Sequence, residues 1–141
     1  MRLLVEAEVK PSEDCSKVKA AVENIFPDLT FKVSENSIVG ESEEPRALTH
    51  LRQLLRIQAI RDSARSAMLK GKRENSIHFM LNKQVAFVGK VSFTEGETPL
   101  GPIKVTIETR SPDLVIDYLA PKTREGRAIV EIGLKDVETE A

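Results

Sequence analysis

Residues 77–108 read IHFMLNKQVAFVGKVSFTEGETPLGPIKVTIE, and their alternation of apolar and polar side chains decides the fold class. Near the end of this stretch, Ile103, Val105 and Ile107 are separated by polar or charged residues. A period of two is typical of a strand with one buried face. Earlier residues with the same inward phase are Ile77, Phe79, Leu81, Val85, Phe87, Val91 and Phe93. We therefore predict an antiparallel meander with a turn at 94–97.

The residues before this stretch predict more strands and one helix. Residues 2–10 alternate like a half-buried strand, which Pro11 ends. Ser12, followed by two acids, has the character of a helix N-cap. The apolar stripe expected on that helix is Cys15, Val18, Val22 and Ile25. Two short strands are predicted at 29–33 and 37–40.

The central segment, residues 46–73, is rich in helix-forming residues, but its apolar phase is not constant. One stripe comprises Leu48, Leu51, Leu54 and Leu55, and a second comprises Ile57, Ile60, Ala64, Ala67 and Met68. The two stripes lie about 140° apart on a helical wheel. One straight helix cannot bury both against a flat sheet, so we predict two helices, or a sharp bend, near residues 55–57.

The C-terminal third adds one helix and a tail. Ser111 followed by Pro112 predicts a helix start, and Pro121 predicts its end. Residues 122–141 are interpreted as a C-terminal tail with an extra strand, because apolar residues alternate at Val130, Ile132 and Leu134. The prediction is a single α+β domain over residues 1–121, a two-layer sandwich of a mainly antiparallel sheet with helices on one face.

The usual signatures of catalysis are missing from the sequence. It has no nucleophile elbow, phosphate-binding loop or dinucleotide fingerprint. We interpret His50 and His78 as exposed surface histidines and Cys15 as a small core residue. With one cysteine and two histidines, neither an internal disulfide nor a structural zinc site is expected. We predict that the protein is not an enzyme and has no catalytic residues, metal site or cofactor.

The targeting signals are equally sparse. No apolar run approaches the roughly 20 residues needed to cross a bilayer, so no membrane role is expected. The N-terminus reaches Glu6 before any apolar core of a secretory signal can form. The predicted location is the cytoplasm.

The charge of the chain is strongly uneven. Residues 46–73 carry eight basic side chains against a single acid, Asp62, so this segment is +7 and the remainder is −8. A basic segment on an acidic protein favours a local docking surface. Arginine is suited to phosphate because its planar fork donates two parallel hydrogen bonds. The first hypothesis is therefore non-catalytic binding of RNA.

Several alternatives to RNA binding stay open. The basic side chains can instead pair with the protein's own acids, Asp62 with Arg65 among them. The basic face can also dock an acidic protein partner or a second copy of the chain as a homodimer, with the tail adding a strand to a partner's sheet. In that second hypothesis the protein is an interaction module with no nucleic-acid role.

The aromatic content bears on the kind of RNA. The chain has no Trp, one Tyr and five Phe, and Phe79, Phe87 and Phe93 have the inward strand phase. Proteins that bind single strands usually present exposed aromatic rings on which bases stack. With few aromatic residues to spare, the composition favours duplex or structured RNA.

Three segments together resemble an archaeal group known as uncharacterised protein family 0201. They are LRIQAIRDSAR at 55–65, LNKQVAFVGKV at 81–91 and PLGPI at 99–103. The resemblance extends from Met1 to about residue 121. It implies a two-layer domain similar to a ribosomal-protein fold that binds ribosomal RNA, and a predicted RNA-binding protein proposed as an exosome accessory.

The candidate RNA-binding residues come from two sources. Those inside the resembling segments are Arg56, Arg61, Arg65, Asn82, Lys83, Gln84 and Lys90, together with the acid Asp62. Those that rest on charge alone are Arg52, Lys70, Lys72 and Arg73. The polar trio 82–84 is expected between two strand segments, either as a simple loop or as a ridge beside the basic helices.

Overall fold

The computed structural model describes residues 1–96 and 98–140. Glu97, in the predicted turn at 94–97, and Ala141, at the end of the predicted tail, lie outside the described residues. The strands are β1 (Arg2–Glu8), β2 (Thr30–Val33), β3 (Ser37–Ser42), β4 (Ser76–Asn82), β5 (Phe93–Thr94), β6 (Pro102–Glu108), β7 (Thr123–Arg124) and β8 (Arg127–Ala128). The helices are α1 (Cys15–Ile25), α2 (Thr49–Ile57), α3 (Arg61–Lys70), α4 (Lys83–Phe87), α5 (Pro112–Leu119) and α6 (Leu134–Glu140), with a 3-10 turn at Pro45–Leu48.

The main sheet has six strands in the order β2-β3-β1-β6-β4-β5, and every neighbouring pair is antiparallel. The predicted α+β fold is confirmed. The core face of the sheet is formed by alternate residues of its central strands, Leu3, Val5, Ala7, Ile77, Phe79, Leu81, Ile103, Val105 and Ile107. The residues between them, such as Glu6, His78 and Lys104, are exposed, so the helices cover one face and leave the other open.

The meander predicted for residues 77–108 is wrong in its order. β6 pairs with β1 and β4, and β4 separates β6 from β5. β5 contributes only the two residues Phe93 and Thr94 to the ladder. β6 lies between β1 and β4, and its apolar residues Ile103, Val105 and Ile107 are almost fully buried there, whereas the two-residue β5 lies at the sheet edge.

The predicted break in the central segment is confirmed. α2 ends at Ile57, and Ala59 adopts a left-handed conformation with φ of 56°. The Ile60 N–H donates to Leu55 O at 3.1 Å and the Ala59 N–H donates to Arg56 O at 3.1 Å. This is a Schellman ending, which lets α3 start in a new direction. Ile57, predicted on the second buried stripe, is instead 73% exposed because it falls at this corner.

Cys15 packs against the core as predicted, and it is partly buried there. Two smaller predictions are wrong. Asp14 rather than Ser12 caps α1, because the Asp14 carboxylate accepts from Ser16 N at 2.9 Å. The extra strand at residues 130–134 does not form, since 129–133 is irregular and α6 begins at Leu134. Val137 of α6 is fully buried in the core and anchors the tail there.

Candidate nucleic-acid interface

Three of the predicted arginines are held by the C-terminal part of the chain. Arg52 lies over the Tyr118 ring, 4.7 Å from its centroid, and donates to Tyr118 O at 2.9 Å. Arg52 and Arg61 each contact one carboxylate oxygen of Glu131, at 3.1 and 3.4 Å. Arg65 donates to Asp117 Oδ1 at 2.7 Å. Their charge is therefore largely balanced within the protein.

Arg61 and Arg65 are also poorly accessible, with side chains 12% and 18% exposed. The predicted pairing of Asp62 with Arg65 is wrong, since Asp62 accepts a hydrogen bond from Thr123 at 2.7 Å. Each of these contacts spans more than 50 residues of sequence. Such partners cannot be read from local spacing. Arg52 and Arg61 therefore serve mainly to attach the tail through Glu131, and Arg65 serves to attach α5 through Asp117.

Arg56 is different, because it is exposed and its side chain makes no hydrogen bond or ion pair with residues 1–96 or 98–140. It shares the wall of a small cavity of about 240 Å³ with Arg52 and Arg61. Arg56 thus lies on the flank of α2 that faces the tail. Among the arginines of α2 and α3 it is the best placed to meet an outside anion, because Arg52, Arg61 and Arg65 are each held in an ion pair.

The basic loop after α3 is exposed but partly paired. Lys70 lies 3.5 Å from Glu95, and Lys72 lies 2.8 Å from Asp113. Arg73 donates to the Lys72 carbonyl at 3.1 Å and keeps its remaining donors free for solvent. Exposed pairs of this kind contribute little to stability, about 1 kcal/mol or less. The loop remains available for contact with a partner.

The polar trio 82–84 is neither a simple loop nor a ridge. Asn82 caps α4, since its side-chain oxygen accepts from Val85 N at 3.0 Å. Lys83 is only 3% exposed and points inward. Gln84 is exposed on the outer side of α4. An N-cap residue followed by a helical turn explains why the strand pattern expected at residues 85–87 does not form.

Lys83 has no capacity left for RNA. Its ammonium donates to Glu13 Oε1 at 3.0 Å, to Glu8 O at 2.7 Å and to Leu100 O at 2.7 Å. An ammonium has three donors, and all three are used. Lys83 therefore fastens α4 to β1, to the start of α1 and to the loop before β6. The structure contradicts its placement in the predicted interface.

The exposed side of α4 forms a second candidate surface. A cleft of about 350 Å³ is lined by Lys17 of α1 and by Gln84 and Phe87 of α4. Lys90 follows α4 and is exposed. Asp14 also lines the cleft, and hydrogen bonds from the Ser16 hydroxyl and backbone lower the pKa of its carboxyl below the usual range. That carboxylate is already occupied as the α1 cap.

Phe87 was not identified as a surface residue from the sequence. The alternation from 77 to 93 placed Phe87 inward, but this residue is 48% exposed because residues 83–87 are helical. The signal that points to the helix is Asn82, a favoured N-cap residue directly before KQVAF. The prediction that Phe87 faces the core is therefore wrong, and this aromatic side chain is available on the surface.

Gln58 connects the end of α2 to the segment after α4. Its side-chain amide donates to Val91 O at 2.9 Å and accepts from Val91 N at 2.8 Å. At 100° per residue, Gln58 and Arg56 are about 160° apart on α2. Arg56 and Lys90 are consequently on opposite flanks of α2, with the exposed Gln53 and Ile57 between them.

The basic loop at 70–73 is separated from the exposed surface around α2 and α4. It precedes β4, whereas Gln84 and Lys90 follow β4. Strand β4 has seven residues, which span about 20 Å at roughly 3.3 Å per residue. The predicted interface therefore divides into two exposed groups rather than one continuous face.

The remaining chemistry-bearing residues do not assemble into a reactive site. His78 lies on the open sheet face, 2.9 Å from Ser76 Oγ and 3.3 Å from Thr106 Oγ1. Among residues 1–96 and 98–140, no group of three or more His, Cys, Asp or Glu side chains is arranged to hold a metal ion. In the same described part, no helix is both long and apolar enough to span a bilayer.

Comparison with known proteins gives consistent results. Residues 2–109 match a family model described as RNA binding. A UPF0201 protein of Sulfolobus acidocaldarius is 47% identical over 131 residues, covering 89% of this chain and 90% of that protein. A UPF0201 protein of Pyrococcus horikoshii is 43% identical over 126 residues, covering 86% and 91%. The crystal structure of a UPF0201 protein from Methanococcus jannaschii superposes with a TM-score of 0.82 at 37% identity, covering 92% of this chain and 100% of that one.

Proposed function

This chain belongs to the archaeal UPF0201 family, and from that membership we propose that it binds structured RNA without catalysing a reaction. The observation that carries the proposal is the match of residues 2–109 to the family model described as RNA binding. The matched region contains the exposed cations on both flanks of α2. It ends before Glu131 of the tail, which pairs with Arg52 and Arg61, and before Asp117 of α5, which pairs with Arg65.

The exposed cations support a contact surface that crosses α2 and α4. Arg56 lies on one flank of α2, and Lys90 and Lys17 lie beyond the other. A helix with its side chains is about 10–12 Å across, so a folded RNA is wide enough to reach both flanks. Arg56, Lys17 and Lys90 would then contact phosphates, and Gln84 would contact sugars or base edges.

The salt dependence of binding tests this surface. If three phosphates are neutralised, the slope of log affinity against log salt should be about −2.7, and affinity should fall roughly 40-fold between 50 and 200 mM salt. Titrations of hairpin RNA at several salt concentrations would measure this slope. Failure of the wild-type protein to bind hairpin or duplex RNA at 50 mM salt would refute the proposal.

We expect the double variant Arg56→Ala/Lys90→Ala to bind RNA about tenfold more weakly, since an exposed ion pair contributes up to about 1 kcal/mol. The salt slope should become shallower by about 1.8, because two phosphate contacts are lost. Filter binding across a salt series measures both quantities. The matched control is Lys32→Ala/Lys104→Ala, which removes the same charge from exposed sheet positions. An equal loss in the control would contradict a local interface.

The interaction-module alternative has one observation in its favour. Ile129 and Val130 are adjacent in the tail and 60% and 65% exposed. On this alternative, the wild-type protein self-associates and Ile129→Ser/Val130→Ser reduces its mass in analytical ultracentrifugation to that of one chain. A wild-type protein that is already monomeric at high concentration would remove the homodimer version. Strand addition by residues 130–134 loses its basis, because they form no strand and α6 begins at Leu134.

A further inference from the structure

Among residues 1–96 and 98–140, Phe87 is the aromatic residue with the greatest exposure to solvent. It is 48% exposed, whereas Phe26, Phe79 and Tyr118 are at most 6% exposed. Of the remaining rings, Phe31 is partly buried under the Lys19 ammonium, and Phe93 packs against Phe79 with centroids 5.6 Å apart. Full burial of such a ring would stabilise the fold by about 1.5–3 kcal/mol. A single exposed ring is common on protein surfaces, so its setting decides whether it has a role.

The backbone that carries Phe87 is held firmly. Asn24 of α1 donates its side-chain amide to Ala86 O at 3.0 Å and to Phe87 O at 3.1 Å. The start of α4 is closed by the Asn82 cap, and its first residue, Lys83, is buried in its ion pair with Glu13. Phe87 is therefore presented on a rigid helical turn rather than on a mobile loop, which reduces the entropy lost when a partner binds.

Polar and basic side chains surround the ring in the pattern that RNA recognition uses. Gln84 is one turn earlier on α4, and both residues line the cleft with Lys17. Lys90, three residues after Phe87, is exposed. Gly89 between them faces open space, since a Cβ at this position would meet nothing within 4 Å. Recognition of an unpaired base uses an aromatic ring for stacking, an amide for the base edge and nearby cations for the phosphates.

We propose that Phe87 is a stacking platform for an unpaired RNA base, with Gln84 contacting the base edge and Lys17 and Lys90 the flanking phosphates. This inference rests on the proposed RNA binding and specifies which part of a structured RNA is recognised, a loop or bulge rather than the stem. The exposed ammonium groups of Lys17 and Lys90 favour an anionic partner over an apolar peptide, and the match to the family model described as RNA binding favours RNA over an acidic peptide. Two carboxylates also line the cleft, Glu13 and Asp14, and they accept hydrogen bonds from Lys83 and Ser16.

The absence of tryptophan from the chain allows a direct test. Phe87→Trp places a single fluorophore at the proposed platform, and stacking by a base should quench its emission. We expect quenching on titration with a hairpin that has an unpaired loop, and little change with a blunt duplex of the same stem. In the same two titrations, Phe87→Ala should weaken hairpin binding at least about fivefold and leave duplex binding nearly unchanged.

Phe87→Leu separates stacking from simple apolar contact. Leucine keeps an apolar side chain but has no ring, so it should lose hairpin affinity as alanine does. Val33→Ala, at an exposed apolar residue of β2, is the control for loss of surface hydrophobicity. Hairpin binding by Phe87→Leu equal to that of the wild type, or no quenching in Phe87→Trp, would overturn the stacking role while leaving RNA binding intact. No binding of either RNA by the wild-type protein would instead refute the proposed function.

Discussion

Replacement of Lys83 by methionine is expected to destabilise the protein by about 3–5 kcal/mol, the usual cost of breaking a buried ion pair by removing one partner. The Lys83 and Glu13 side chains are 4% and 10% exposed. Without the ammonium, the Glu13 carboxylate and the carbonyls of Glu8 and Leu100 lose a donor in a place that water reaches poorly. Chemical denaturation should show the loss in the free energy of unfolding. In a protein of this size, the melting temperature should fall by roughly 10–17 °C.

Two further variants separate the buried pair from lysine chemistry in general. Lys90→Met makes the same substitution at an exposed position and should change stability by less than about 0.5 kcal/mol. Lys83→Met/Glu13→Leu removes both charges and should recover part of the loss, because no unpaired carboxylate remains buried. Stability of Lys83→Met within 1 kcal/mol of the wild type would mean that the pair contributes little.

Replacement of Gly71 by alanine is expected to cost about 3 kcal/mol through a steric clash. A Cβ at this position would lie 1.6 Å from the His78 carbonyl oxygen. The two backbones approach closely because the His78 N–H donates to Gly71 O at 2.9 Å. His78 belongs to β4, and its neighbours Ile77 and Phe79 pair with Ile107 and Val105 of β6, so the His78 carbonyl cannot move without disturbing the sheet. The free energy of unfolding of the variant measures the cost.

Gly133→Ala is the matched control for this prediction. A Cβ there would meet only the end of the Asp136 side chain at 3.6 Å, an ordinary contact distance. We expect its stability to stay within about 0.5 kcal/mol of the wild type. Equal stability of Gly71→Ala and Gly133→Ala would contradict the requirement for glycine between α3 and β4.

The parts of the fold that depend on local pattern were predictable. Alternation in β1 and β6, and the shift of apolar phase between α2 and α3, depend on which side chains share a face. The segment around α4 was not predictable from alternation alone. Val85 and Phe87 fit a strand phase, but the Asn82 cap and the burial of Lys83 favour a helical turn.

The candidate site was predictable only in part. Basic composition identified the segment that contains Arg56, and the family resemblance identified the segment that contains Lys90; both residues are exposed. The same reasoning could not separate them from Arg61 and Arg65, whose partners come from residues 117–131. It also could not place Arg56 and Lys90 on opposite flanks of α2, because that depends on the contact between Gln58 and Val91.

The sequence by itself determined the class of fold, the break in the central helical segment and the uneven charge, because periodicity and composition are local properties. Only the tertiary structure decided which charges face outward. Burial and pairing depend on residues far apart in the chain, which bring Glu131 to Arg52 and Glu13 to Lys83. The +7 segment is therefore a basic stretch of sequence, but on the folded surface it divides into arginines that attach the tail and cations that remain free for a partner.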